Sequence, residues 1–136
     1  MWYEDLTECG YFGEEEAKFL TAVGWLKNGK PFTKGESPKH ILEKLYGFSQ
    51  NSEMCVIFRG YHECDFCDFV NGDLGSTTIE IAYKDKVYVC PALIIHYIEN
   101  HQYLPPTEFI EAVSNYDHQY AMDYFTKIGI FHRLNL

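Results

Sequence analysis

Cys64-Asp65-Phe66-Cys67 is the stretch that most narrows what this chain can become. Two thiols three positions apart fit on one tight turn, and with both sulfurs about 2.3 Å from a shared ion they form half of a tetrahedral zinc site. The other half must come from elsewhere in the chain. His96 and His101, spaced H-x4-H, lie in or at the end of a helical stretch downstream. His62 stands two residues before Cys64, and Cys90 stands just before that helix. We expect Cys64, Cys67 and His96 as ligands, with His101 or His62 completing the set and Cys90 competing for the place. Two thiolates with imidazoles favour zinc over magnesium, calcium or manganese.

The elements around this turn are as informative as its spacing. "MCVIFRG" (54–60) is rich in β-branched and aromatic residues and leads as a strand into the cluster. "TTIEIAY" and "KVYVC" alternate on either side of "KDK", so a β-hairpin is expected over roughly 77–90. Pro91 is then expected to open a buried helix, "PALIIHYIENH". Strand, Cys-x-x-Cys turn, hairpin and helix follow one another as in a treble-clef zinc knuckle. Two departures are expected: counted from Pro91, His96 falls in the second helical turn rather than the first, and a five-residue separation rotates His101 away from His96.

Elsewhere, "KFLTAVGWL" (18–26) reads as a short strand or extended segment, with a possible helix opening at Glu14–Glu16. Ser37-Pro38 resembles a helix cap and first-turn proline ahead of Ile41, Leu42, Leu45 and Phe48. Pro105-Pro106 breaks the chain before the short helix "TEFIEAV". Asp117 caps a last segment with Tyr120, Tyr124 and Ile128 on one face and Gly129 at its end, after which "IFHRLNL" reads as an edge strand or an arm. The expected fold is a small single α+β domain over 1–114, with a helical extension over 115–136 packed on it.

Charge removes some functions from consideration. With 20 acidic against 11 basic residues the formal charge is −9, which repels phosphate backbones and argues against general nucleic-acid binding. A protein partner, and a basic one, suits it better. The start "MWYEDLTECG" lacks the pattern of a secretion signal, and the longest mainly apolar run, residues 87–98, is too short to span a bilayer. A cytoplasmic setting is expected, in which five cysteines stay reduced. A redox role for Cys64 and Cys67 is disfavoured because Gly72 and Gly75, rather than a helix start, follow them. Deaminase chemistry fails too, since in "HECDFC" the cysteine pair follows at once instead of after a separate strand.

Taken together, Glu4-Asp5-Leu6, Val23-Gly24-Trp25-Leu26 with Gly29, Phe32 and Gly35, Arg59-Gly60 through Cys67, and His96 through Val113 resemble an uncharacterised bacterial family, a domain of unknown function. Its pattern contains VGWL…G…F…G, RGxHxCxxC and HYIxxHxYxPPxEFxxAV. The resemblance spans roughly residues 2–114. It implies that these histidines and cysteines belong to one constellation, and it implies no activity.

The function expected from these readings is a non-catalytic binding module with structural zinc, of the kind that neutralises a toxin (an immunity protein) or inhibits a nuclease. The alternative is a metal-dependent hydrolase or nuclease with an open zinc site and Glu63 or Glu99 as base. A third role, assembly through Tyr120, Tyr124 and Phe125, competes with simple coverage of the domain's own core.

Overall fold

The structure, a computed structural model, describes residues 2–11, 13–51, 55–57, 63–68 and 77–129. The hairpin is its spine. Strands β3 (Thr77–Tyr83) and β4 (Lys86–Pro91) pair antiparallel with Tyr83 opposite Lys86. Only Lys84 and Asp85 remain for the turn, with φ of 47° and 61°. Two left-handed residues match the right-handed twist of the flanking strands.

A short strand β1 (Leu20–Ala22) runs parallel to β4, and β2 (Cys55–Ile57) runs antiparallel to β3, giving the order β1-β4-β3-β2. Alternation along the two central strands sends side chains to opposite faces. Ile79, Ile81, Tyr88 and Cys90 enter one core, while Ala82, Val87 and Val89 enter another. The sheet is therefore covered on both faces.

The first face carries α2 (Lys39–Ser49), α3 (Ile94–His101) and α4 (Thr107–Ser114). Ile41 and Leu45 of α2, and Phe109, Ala112 and Val113 of α4, are fully buried, as their helical spacing requires. Two boundaries differ from expectation. The N-cap of α2 is Pro38, whose side chain has no capping group, and the Ser37 hydroxyl before it donates to the Tyr103 carbonyl at 3.4 Å. Pro91 does not open α3 but ends β4 opposite Thr78, where its missing N–H costs little; the Ala92 N–H makes the next bond, to Thr77 O at 2.8 Å.

The second face is covered from both ends of the chain. Leu6 and Cys9 donate backbone bonds to Ala22 and Leu20, a four-residue helix α1 (Glu14–Ala17) follows, and Trp25 packs beside Tyr3 and Tyr11 while its indole N–H reaches Val89 O at 2.9 Å. From the other end, α5 (His118–Ile128) adds Ala121 and Phe125. Asp117 caps it by accepting from Tyr120 N at 3.2 Å, and Gly129, at φ 77°, ends it. The arm expected in "IFHRLNL" falls on 130–136, outside the described residues.

Two polar ties through Asp5 join the exit of β1 to the segment after α3. Asp5 accepts from Gly24 N at 3.0 Å and from the Tyr103 hydroxyl at 2.7 Å. Gly24 lies at φ 79°, and a Cβ there would stand 2.8 Å from the Ile94 side chain. Only glycine lets the strand exit pass so close to the helix. No helix among the described residues is long and apolar enough to cross a membrane.

Candidate metal centre

The shifted start of α3 changes the position of His96. With Ile94 as the first helical residue, His96 lies in the first turn, not the second, and is 4% exposed beside the core. His101 is the last helical residue before Gln102 turns left-handed at φ 56°. About 140° of rotation separates the two positions on a regular helix. The two long side chains nevertheless converge, leaving their Nε2 atoms 3.2 Å apart.

The Cys64–Cys67 turn closes over this point. Cys64 and Cys67 have sulfurs 3.7 Å apart; His101 Nε2 lies 3.4 Å from Cys64 Sγ, and His96 Nε2 lies 3.2 Å from Cys67 Sγ. All four donor atoms lie within 4.8 Å of one another. For zinc–sulfur and zinc–nitrogen bonds of ordinary length, a tetrahedron has edges of about 3.8 Å between sulfurs, about 3.5 Å between sulfur and nitrogen, and about 3.3 Å between nitrogens. Four of the observed separations lie close to those lengths, and the other two sulfur–nitrogen edges lie within 4.8 Å. This group can hold a metal ion.

Its surroundings support the same use. Burial, and then His101, push His96 down, favouring the neutral imidazole that ligates; burial pushes the Cys64 thiol up, which works against the thiolate and which a bound cation would offset. The Phe66 N–H donates to Cys64 Sγ at 3.4 Å, a bond that orients a ligating sulfur. Asp65 accepts from Asn28 N at 3.3 Å and ties the turn to the loop after β1. Phe66 itself packs on the rings of His101, Tyr97 and Phe32, at centroid distances of 5.2, 6.0 and 5.5 Å.

Of the candidates read from the sequence, Cys64, Cys67, His96 and His101 come together. Cys90 is fully buried in the sheet core and outside the group. His62 lies outside the described residues. Glu63 and Glu99 are exposed and do not join the donors. Sequence reading missed Asn100, whose Nδ2 stands 3.0 Å from His96 Nδ1. Its position four residues after His96, on the same helix face, was the available signal. If His96 ligates through Nε2, Nδ1 carries the proton, and a half turn of the Asn100 amide, at the expense of the 3.4 Å bond from Nδ2 to His96 O, would present Oδ1 to that N–H as acceptor.

Knuckle, hairpin and helix thus form a treble-clef-like arrangement within an α+β domain. No curated protein and no solved structure matches the chain. A family profile matches residues 1–114, and the chain belongs to that family, the domain of unknown function DUF7919.

Proposed function

We propose that this protein is a non-catalytic protein-binding module whose fold is clipped by one structural zinc ion. The observation that carries the reading is the donor set itself, two sulfurs and two imidazole nitrogens near the edge lengths of a zinc tetrahedron. Four protein ligands fill that tetrahedron and leave no position for water. A hydrolase needs the open position and a base beside it, and neither Glu63 nor Glu99 is part of the group.

The net charge of −9 supports a basic protein partner, because an acidic surface speeds encounter with one and repels nucleic acid. Neutralising a basic toxin or nuclease is the kind of task such a surface serves. Five free cysteines fit a reducing, cytoplasmic setting. The test is native mass spectrometry of protein purified without chelator, beside a Cys64→Ser, Cys67→Ser double variant. One zinc per chain, lost together with folding in the variant, is the expected result. A stably folded, metal-free wild-type protein overturns the reading.

A further inference from the structure

A groove of about 780 Å³ opens beside the donor group, with Lys30, Phe32 and Lys34 on one wall and Phe66, Asn100 and Gln102 on the other. Two lysines and no carboxylate line it, in a chain of net charge −9, with Asp65 at its edge accepting from Asn28 N at 3.3 Å. Lys30 Nζ rests 4.7 Å from the centre of the Trp2 ring, and Lys34 Nζ 5.5 Å from that of Phe32. Among the described residues, ion pairs engage Lys84 with Glu111 and Lys86 with Glu108, but neither groove lysine. An aromatic face holds an ammonium without neutralising it, so both charges remain available to a ligand.

We propose that this groove binds a small organic anion, a phosphate or carboxylate group carried on a flat ring, of about the size of a nucleoside monophosphate. The two ammoniums take the anionic group, Phe32 and Phe66 offer ring faces, and the amides of Asn100 and Gln102 offer hydrogen bonds to ring edges. The C-terminus of α3 brings about half a negative charge to the groove and the Asp65 carboxylate at Asn28 brings one more, which two full positive charges still outweigh. A long polyanion is disfavoured because it would extend over the acidic remainder of the surface. A peptide strand is disfavoured because the walls already bond each other, Gly35 N to Gln102 O at 2.8 Å and Leu104 N to Thr33 O at 2.9 Å.

The groove goes beyond the proposed zinc clip but rests partly on it, since Phe66 and His101 belong to both. The test is calorimetric titration of the full chain at low salt with AMP, adenosine, inorganic phosphate and a hexaglutamate peptide. A Lys30→Ala, Lys34→Ala variant is titrated in parallel, with zinc content and Tm measured on each protein. AMP is expected to bind at least about tenfold more tightly than adenosine, phosphate or the peptide, and at least about tenfold more weakly to the variant at unchanged zinc and Tm. No AMP binding, undiminished AMP binding by the variant, or preference for adenosine or the peptide overturns the groove. A zinc-loaded protein that ignores AMP overturns the groove alone; a folded, zinc-free protein overturns the clip, and the same titration still decides the groove.

Discussion

The Cys64–Cys67 turn and helix α5 are both short segments held against the same sheet-and-helix body, but by different physics. The turn buries Cys64 and half of Phe66 but leaves Asp65 and Cys67 exposed, so its place depends largely on its two sulfurs meeting the two imidazoles of α3. Helix α5 inserts Ala121 and Phe125 into the second core and adds hydroxyl bonds to the hairpin turn, from Tyr124 to Asp85 O at 2.7 Å and from Asp85 N to the Tyr120 oxygen at 2.8 Å. A segment too polar to bury can be fixed by coordination, whose strength sits in one point. A segment with an apolar face is fixed by area, which is spread over many contacts.

The comparison breaks most visibly if the metal is removed. Chelation, or Cys64→Ser with Cys67→Ser, is expected to cost up to the order of 10 kcal/mol, the range of zinc sites in small domains. Loss of the cooperative thermal transition checks this. On the opposite face, Phe125→Ala is expected to cost about 3–5 kcal/mol, read from urea unfolding, while leaving zinc stoichiometry at one per chain. If Phe125→Ala also releases zinc, the two regions are not independent.

Asn100→Ala sharpens the view of the turn. The variant removes the amide that stands against His96 Nδ1, and zinc affinity is expected to fall by about 10- to 100-fold in a chelator competition, with little change in fold. Tyr124→Phe does the same for α5: it deletes one hydroxyl bond in a half-buried setting and is expected to cost about 1 kcal/mol.

The smallest effect belongs to Asp5, which joins the N-terminal segment to Tyr103 on the α3 side. Burial raises its carboxyl pKa, outweighing the lowering by the bonds from Gly24 and Tyr103. A raised acid contributes most to stability below its unfolded pKa, and that contribution is lost as pH rises through the folded value. The Tm of Asp5→Asn relative to wild type is therefore expected to be more favourable at pH 7 than at pH 4. An equal difference at both pH values removes Asp5 as the titrating group.

Much of this was legible because it depends on local pattern. Alternation in "TTIEIAY" and "KVYVC" specified a hairpin; Asp117 and Gly129 bounded α5; Cys-x-x-Cys with two later histidines supplied the donors that meet, although His62 and Cys90 stood beside His101 as candidates for the fourth place. Periodicity and capping act over a few residues, so they can be read without knowing what lies across the core. The parallel pairing of β1 with β4 was not legible, since it joins residues 20–22 to 87–89 and leaves no mark on either segment alone. Nor was the start of α3. Pro91 is an acceptable first helical residue and an acceptable strand end, and the bond from Ala92 to Thr77 across the hairpin decided between them. That three-residue shift put His96 in the first turn of the helix. The sequence by itself supplied which side chains can ligate; only the tertiary structure, by choosing where a strand stops and a helix begins, decided that they face one point.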